Sequence, residues 1–312
     1  MVIDDNGKGL STTGLGHGDA HHVGDLNPYV HGQEGFFCNE DEPANNYRDL
    51  TTSKIYYRMV GNSDAGRSMA GNFSNDFPGA IGYGAHDTPI STVTNNHVDG
   101  MVSTGLTQNF RIYWDGDLLD EYMDASGNEN VPADVYKAGG GRIFRAEGTA
   151  LTNSTKRNFC AQGDIFGDWR EELVLRSSDN AELRIYATNI PTEYRIPSLW
   201  YDHQYRQAMV WQTMGYNQTP HKSYFLGELE GITQAPPPLT MTGRTEISNG
   251  GTISTTNDHL IVCETGNTSV NIAEGASPYI VTFNVPSWVQ GSAESNCASL
   301  SPSITYNYYA CN

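Results

Sequence analysis

Short segments rich in carboxylate and amide side chains recur along the first part of this chain. They are marked by Asp25, Asn72, Asp117 and Asp164, so successive segments lie 45 to 47 residues apart. Each opens a strand-like run, and a fifth apolar run, residues 209–211, falls about where the next unit is expected. A repeat of roughly 40–50 residues is typical of stacked four-stranded blades. The spacing therefore predicts an all-β fold of the β-propeller type, with chemistry on the loops at one end of the blades.

Composition supports a fold of many short strands and narrows the kind of partner. The 312 residues include 33 glycines and 18 tyrosines, and only 17% are charged, which suits short strands joined by tight turns. The formal net charge is −18, from 36 acidic and 18 basic residues. This balance argues against nucleic acid or an anionic membrane as the main partner. It suits binding of hard cations such as calcium, although a solvated acidic surface explains the same charge.

The ends of the chain predict a fragment of a longer protein. Residues 1–3 read as a strand that leads directly into a hairpin turn at 4–7, like the outer half of a blade. Only four to five blades are visible, and a propeller closes its ring to hide strand edges. We therefore expect a partial propeller at 1–230, a proline-rich linker at 231–238 and a small accessory β-domain at 239–312. In that last region, strands are predicted at 261–262, 270–272, 279–283 and 304–306.

The first dense group of possible metal ligands surrounds His17. In an extended segment His17 and Asp19 point to the same side, so they can share one cation with Glu40 of the following strand. His17 and His21 have the spacing of a helical zinc pair, but the flanking glycines disfavour a helix there. The alternative for His17 is a hydrogen-bonded histidine in a turn.

A second candidate metal site lies in the acidic segment 163–172. Asp164 and Asp168 are four residues apart, with a glycine between them and glutamates after them. This arrangement resembles a calcium loop built from oxygen ligands. The alternative is that the carboxylates stabilise turns and pair with Arg170.

Six segments together resemble one known family, the rhamnogalacturonan lyases of polysaccharide lyase family 11. The resemblance covers roughly residues 1–230. Its segments are Gly-Leu-Gly-His-Gly-Asp-Ala at 14–20, Asn-Phe-Arg-Ile-Tyr-Trp-Asp-Gly-Asp at 109–117, the acidic segment 163–172, Leu-Arg-Ile-Tyr at 183–186, Ile-Pro-Thr-Glu-Tyr-Arg at 190–195 and Tyr-Asn-Gln at 216–218. The family implies an eight-bladed, calcium-bound propeller in a bacterial protein that is secreted, periplasmic or on the cell surface.

The resemblance also implies a reaction. Family members cleave the bond between rhamnose and galacturonic acid in the rhamnogalacturonan I backbone of pectin by β-elimination, leaving an unsaturated galacturonyl end. The proton at C5 lies next to a carboxylate and is very weakly acidic, so a cation must stabilise the charge that develops as a base removes it. We expect a monomer with pectin as its partner, and favour endolytic over exolytic cleavage.

Individual residues match functional positions of the family. Lys156 matches the candidate base, and Arg67 a second catalytic cation. His17, Asp19 and Glu40 match three ligands of a calcium site. The segment Asn153, Ser154 and Thr155 matches substrate contacts, and Tyr216 matches a tyrosine that contacts sugar. The chain departs from the family at Ser154, where glycine is usual, and at 72–75, where aspartates are usual.

Two other functions fit part of the same pattern. A calcium-dependent carbohydrate-binding propeller without catalysis keeps the acidic loops but has no need of Lys156 or Arg67. A structural adhesion propeller with calcium-bound blades has no use for the segment 153–156. The presence of both cations favours the enzyme.

Overall fold

The computed structural model describes residues 1–42, 44–60, 65–84, 89–99, 109–125, 127, 130–212 and 218–227, and four short strands beyond residue 258. Antiparallel sheets dominate this part of the chain, so the predicted all-β class is confirmed. The described part includes one α-helix, His203–Trp211 (α1), and two 3-10 turns, Ser154–Lys156 and Leu199–Tyr201.

The first two sheets begin at the N-terminal end of the chain. A two-stranded hairpin contains Val2–Ile3 (β1) and Gly9–Ser11 (β2), as predicted from the turn residues between them. Its turn is stabilised by Asp4, whose carboxylate accepts hydrogen bonds from the backbone N–H groups of Asn6 and Lys8. The second sheet has four strands in chain order: His21–Gly24 (β3), Glu34–Asn39 (β4), Ala44–Asp49 (β5) and Ile55–Val60 (β6).

Three further sheets follow. The third contains Ser68–Gly71 (β7), Ile81–Gly84 (β8) and Ile90–Ser91 (β9). The fourth contains Phe110–Ile112 (β10), Glu121–Asp124 (β11), Asp134–Tyr136 (β12) and Arg142–Arg145 (β13). The fifth contains Thr149–Ala150 (β14), Ala161–Gly163 (β15), Glu172–Ser177 (β16) and Glu182–Ala187 (β17). Both β14 and β15 pair with β16, so together they take the place of the first strand in this sheet and β16 that of the second. Within the described residues each sheet is open and none closes on itself, so the number of blades stays a prediction.

Four short strands lie in the last part of the chain. They are His259–Leu260 (β18), Val270–Ile272 (β19), Tyr279–Asn284 (β20) and Tyr306–Asn307 (β21). The strands predicted at 270–272 and 279–283 are present, whereas 261–262 and 304–305 lie outside the described residues. β20 pairs antiparallel with both β17 and β19. The linker at 231–238 also lies outside the described residues, and the division into domains stays a prediction.

Successive sheets meet through their first strands and pack by apolar side chains. β7 contacts β3 on one side and β10 on the other. The side-chain amide of Gln162 in β15 donates to the backbone oxygen of Arg111 in β10 (2.8 Å). Separate apolar clusters fill the spaces between neighbouring sheets, with Phe36 and Ala70 in one, Met69 and Tyr122 in the next, and a third, between the fourth and fifth sheets, that includes Phe110, Leu173 and Tyr186.

The recurring acidic segments occupy equivalent places, in the loop between the first and second strands of a sheet. Three of the second strands begin with a buried glutamate: Glu34, Glu121 and Glu172. In each, one carboxylate oxygen accepts hydrogen bonds from two consecutive backbone N–H groups of the loop, at 2.7–3.1 Å. Burial raises the pKa of Glu34 to about 7 and that of Glu121 to about 8. Each repeat is therefore a loop held closed by the glutamate that follows it, and the sequence did not show that Glu34, Glu121 and Glu172 share this role.

The apolar run 209–211 does not form a strand of a further repeat unit. These residues form the end of α1, which begins after Asp202, whose side chain accepts from the backbone N–H of Gln204. Tyr205 and Ala208 are buried on one face of the helix. A run of three apolar residues is too short to distinguish a strand from one turn of an amphipathic helix. No helix in the described ranges is long and apolar enough to cross a membrane.

Candidate functional site

The loop before β3 and the end of β4 bring three predicted metal ligands together. One donor atom from each of His17, Asp19 and Glu40 lies within 4.8 Å of the others. His17 Nδ1 is 3.2 Å from Glu40 Oε2, and His17 Nε2 is 3.8 Å from Asp19 Oδ1. The His17 side chain is 64% exposed whereas that of Asp19 is 10% exposed, so the cluster opens to solvent on the imidazole side.

Two glycines allow this loop to lie directly on the chain that follows β4. Gly16 has φ +78°, and a Cβ there would lie 2.2 Å from a carboxylate oxygen of Asp41. That same oxygen accepts a hydrogen bond from the backbone N–H of His17 at 2.8 Å. A Cβ on Gly18 would lie 1.9 Å from the backbone oxygen of Cys38. The positions of His17 and Asp19 thus depend on close approach of two backbones.

Replacement of Gly18 by alanine is expected to weaken divalent cation binding by about 10- to 100-fold, as displacement of supporting groups does at other metal sites. The added Cβ cannot overlap the Cys38 oxygen, so the loop must move away from Glu40. Calorimetric titration with calcium measures the effect. Gly9→Ala is the matched control, because a Cβ at that position would have no neighbouring atom within 4 Å. Equal calcium affinity in both variants would contradict the prediction.

The candidate base touches this cluster. Lys156 ends the 3-10 turn Ser154–Lys156, and its Nζ donates to Asp19 Oδ2. The other oxygen of the same carboxylate faces His17, so Asp19 lies between His17 and the lysine. The backbone oxygen of Lys156 accepts from the side-chain amide of Asn109 at 3.0 Å, which fixes the turn against the start of β10.

The turn that carries Lys156 has an unusual backbone. Asn153, Ser154 and Arg157 have φ values of 62°, 48° and 52°, in the left-handed region that residues other than glycine rarely adopt. Such strain is concentrated at functional sites. Ser154 therefore sits where glycine is better suited, and glycine is what the family resemblance implies there. The Asn153 side chain donates to Asn158 Oδ1 at 3.0 Å, and the side chain of Thr155 lies outside the described residues.

Arg67 lies at the same end of the sheets. It immediately precedes Ser68, the first residue of β7, and is partly buried. The backbone oxygen of Ser68 accepts from His22 of β3 at 2.8 Å, so Arg67 and Asp19 both lie where these neighbouring first strands begin. Tyr216 lies outside the described residues. Gln218, two residues later, contacts both the His21 backbone N–H (3.1 Å) and the Asp19 backbone oxygen (3.4 Å).

Asp164 and Asp168 do not belong to a three-ligand cluster among the described residues. Asp168 pairs with Arg170 at 2.7 Å, which is the alternative considered from the sequence. Asp164 accepts from Ser198 Oγ (2.8 Å) and the Leu199 backbone (2.7 Å) through Oδ2, while its buried Oδ1 has no hydrogen-bond partner. Burial raises the pKa of Asp164 to about 7, and Asp168 adds to the shift. An unpartnered buried carboxylate oxygen suits a cation, so the metal role of these residues stays a prediction.

A second acidic cluster was missed in the sequence. Asp115, Asp117 and Glu121 bring their carboxylate oxygens within 4.8 Å of one another. The Lys137 ammonium lies 2.6, 2.6 and 2.9 Å from these three carboxylates and compensates their charge. The acidic spacing was visible in the sequence, but the lysine comes from a strand-to-strand turn 16 residues beyond Glu121.

Replacement of Lys137 by alanine is expected to lower the free energy of unfolding by about 2 kcal/mol, because it leaves three neighbouring carboxylates uncompensated. Added calcium should recover part of this loss by binding the same oxygens. Urea unfolding with and without calcium tests both statements. The control is the exposed Lys8, for which Lys8→Ala should change little. Unchanged stability in Lys137→Ala would contradict the expected compensation.

Two histidines form a buried pair between β3 and the segment 218–227. His22 Nδ1 lies 2.8 Å from His221 Nε2, and His22 Nε2 lies 2.8 Å from the Ser68 backbone oxygen. Since a carbonyl only accepts, His22 Nε2 carries the proton and Nδ1 accepts from His221. Burial lowers the pKa of His22 to about 3 and that of His221 well below its usual value. Both imidazoles are neutral at neutral pH.

This pair is expected to make stability fall in acid. The unfolded chain takes up a proton at each histidine below its ordinary pKa of 6.5, whereas the folded pair does not, so stability drops as pH falls from about 6.5 towards 3. At pH of about 4.5 the loss from His22 alone is roughly 2–3 kcal/mol. Urea unfolding at several pH values should show a shallower dependence in His22→Gln than in the parent or in the exposed-site control His31→Gln. The same dependence of stability on pH in His22→Gln and in the parent would contradict this prediction.

A buried polar centre lies where the first strands end. Arg111 is 1% exposed and pairs with Asp120 (3.3 Å) and Glu171 (3.0 Å). Close by, Lys222 donates to the hydroxyl of Tyr113. Burial, with Arg111 as a second cause, lowers the pKa of Lys222 to about 7. These groups border a cavity of about 30 Å³, enough for one water molecule, so the centre is structural.

Comparison with known proteins identifies the family. The family model for the C-terminal domain of rhamnogalacturonan lyase family 11 matches residues 1–238. Rhamnogalacturonan endolyase YesW of Bacillus subtilis (strain 168) is 41% identical over 241 residues, covering 76% of this chain and 38% of the relative. Rhamnogalacturonan exolyase YesX of the same organism is 37% identical over 261 residues, covering 76% and 41%. This chain thus spans about two fifths of the length of these relatives.

Solved structures of rhamnogalacturonan lyases are also similar to this chain. The crystal structure of rhamnogalacturonan lyase YesW superposes with a TM-score of 0.63 at 39% identity, covering 75% of this chain and 39% of that one. Rhamnogalacturonan lyase PL11 of Bacillus licheniformis superposes with a TM-score of 0.64 at 36% identity, covering the same shares. The resemblance seen in the sequence motifs is confirmed, and the chain belongs to rhamnogalacturonan lyase family 11.

Proposed function

We propose that this chain is the C-terminal part of a calcium-dependent rhamnogalacturonan lyase with a β-propeller fold. Its substrate is rhamnogalacturonan I of pectin, cleaved by β-elimination between rhamnose and galacturonic acid. One observation carries the proposal. The possible metal ligands His17, Asp19 and Glu40 lie together, and Lys156, 137 positions beyond Asp19, bonds to the carboxylate of Asp19. That carboxylate thus has possible metal ligands on one side and a basic amine on the other.

The donor set fits a divalent cation. The carboxylates of Asp19 and Glu40 are the hard oxygen ligands that calcium requires, and the partly exposed cluster leaves room for oxygens of a ligand. The imidazole of His17 completes the set but is also a good ligand for transition metals. A bound calcium ion would neutralise the uronate carboxylate and stabilise the charge that develops on it.

The remaining parts of the reaction are carried out by side chains of this protein. Lys156 in its neutral form removes the proton at C5 of the galacturonate, since a base must reach that atom directly. Asp19 positions the Lys156 amine through its hydrogen bond. Arg67 pairs with the uronate or with the negative charge that forms on it, because a guanidinium binds carboxylates through two parallel hydrogen bonds. The first strands of the sheets are buried and connected to one another, which keeps these groups in place.

Endolytic cleavage by a monomer outside the cytoplasm completes the proposal. The two Bacillus subtilis relatives are named an endolyase and an exolyase, and the endolyase has the higher identity of the two. An anionic polymer and a chain of net charge −18 repel each other, so binding must be local, through the cation and the basic residues of the cleft.

The test is the ultraviolet absorbance of the unsaturated uronide released from rhamnogalacturonan in the presence of calcium. It is made on the 312-residue chain and on a chimera that joins residues 1–238 to the part of YesW that this chain does not cover. Product formation that stops on chelation supports the calcium-dependent lyase. Polymer binding by the chimera without product would instead favour a non-catalytic, calcium-dependent carbohydrate-binding propeller.

A further inference from the structure

An aromatic side chain that the proposed reaction does not use lies beside the candidate site. Trp211 is the last residue of α1 and is 38% exposed. Its ring centroid lies 6.3 Å from that of His21, at an interplanar angle of 54°. His21 begins β3 and follows Asp19 by two residues. The indole therefore stands at the edge of the cluster that holds the possible metal ligands.

The ring of His21 packs against side chains of the neighbouring strands. Its ring stacks on Phe37 of β4, with centroids 6.1 Å apart and planes 20° apart. The guanidinium of Arg48 lies 4.1 Å from the centroid of the Phe37 ring. Arg48, Phe37 and His21 therefore form a packed row of side chains beside the indole of Trp211.

The end of α1 is fixed to both halves of the candidate site. Gln212, next to Trp211, accepts from the backbone N–H of Gln162 (2.8 Å) and donates to its backbone oxygen (2.5 Å). Gln162 lies in β15, the strand that follows the Lys156 turn. On the other side, the ring of Trp211 contacts that of His21 in β3. Trp211 is therefore held at a defined distance from both the base and the ligands, as a ligand-contacting residue requires.

The chemistry of this surface selects a neutral sugar. The uronate needs cations, which Arg67 supplies and the cluster ligands hold. An indole face instead offers apolar area and the negative face of its quadrupole. Rhamnose is uncharged, and its methyl group and ring C–H bonds make an apolar face. A partly exposed aromatic next to a polar site is typical of ligand grooves.

We propose that Trp211, backed by His21, is a stacking platform for the rhamnose residue next to the galacturonate that is cleaved. This rests on the proposed function, because the occupant follows from the substrate. The platform contributes to binding of substrate and transition state alike, since it lies away from the reacting atoms. Its loss should therefore appear in KM and in oligosaccharide affinity and leave kcat nearly unchanged.

Trp211→Ala is expected to raise KM and the Kd of a rhamnogalacturonan oligosaccharide about tenfold, which is about 1.4 kcal/mol. Trp211→Phe should recover most of that loss. Calorimetric titration of the 312-residue chain gives Kd without any need for cleavage, and the chimera gives KM and kcat. Val210→Ala is the control: Val210 is exposed on the same helix, but adjacent helical positions do not share a face. A galacturonan oligosaccharide without rhamnose should not distinguish Trp211→Ala from the parent.

The outcomes separate this inference from the proposed function. If the chimera releases no unsaturated product, the lyase proposal fails. The binding titration still tests whether Trp211 contributes to binding of the rhamnose-containing oligosaccharide. If Trp211→Ala binds the rhamnose-containing oligosaccharide as the parent does, or the parent does not bind it at all, the platform is overturned. A fall in kcat with unchanged KM would also overturn it, because that pattern assigns Trp211 a role in positioning the catalytic groups.

Discussion

Replacement of Lys156 by alanine is expected to lower the rate of unsaturated uronide release by about 10²- to 10⁴-fold, the usual contribution of a positioned base. Lys156 is the basic side chain that the structure places against the ligand cluster, through its bond to Asp19 Oδ2. The KM for rhamnogalacturonan should change far less, because the loss falls on proton transfer. Absorbance kinetics at saturating polymer with calcium, in the chimera described above, provide the measurement.

Lys156→Arg separates the chemical role of Lys156 from its ion pair. Arginine keeps the positive charge and can still donate to Asp19, but it stays protonated at any ordinary pH and cannot act as a base. We expect calcium affinity and thermal stability close to the parent, with activity as low as in Lys156→Ala. Substantial activity in Lys156→Arg would contradict the assignment of Lys156 as the base and leave it a charge-pairing role.

Replacement of Arg111 by methionine is expected to lower the free energy of unfolding by about 3–5 kcal/mol, the cost of removing one member of a buried ionic network. Methionine fills part of the same volume but leaves Asp120 and Glu171, both almost fully buried, without their shared cation. Urea unfolding followed by circular dichroism measures the loss. Cation binding at His17, Asp19 and Glu40 should persist in the folded variant.

The partly exposed Arg142 gives the matched control for Arg111. Arg142 pairs with the buried Asp134 at 3.4 Å, but its own side chain is 45% exposed and Arg145 also pairs with Asp134 at 3.2 Å, so Arg142→Met should cost less than about 1 kcal/mol. If Arg111→Met and Arg142→Met lost equal stability, burial of the arginine would not be the cause of the loss. If Arg111→Met were as stable as the parent, the network would be replaceable by apolar packing, which is known for some buried ion pairs.

The sequence alone identified the features whose signal is local or periodic. Short strands separated by acidic loops indicated the all-β class, because the side-chain alternation and turn residues of a strand lie within a few positions. The candidate ligands His17 and Asp19 were apparent because an extended segment places them on one side, and the family motifs pointed to Lys156 as the candidate base. The N-terminal hairpin followed from its turn residues in the same way.

Only the tertiary structure decided which of these groups meet. Lys156 and Asp19 are 137 positions apart, and no pattern along the chain indicates that their side chains bond. The same is true of Lys137, which lies among three carboxylates of another loop. It is also true of Trp211, whose apolar run matched the position of a further repeat but which lies beside His21 at the end of α1. Local propensity determines which elements form, whereas side-chain contacts between elements depend on how sheets pack, and that packing is set by the whole chain at once.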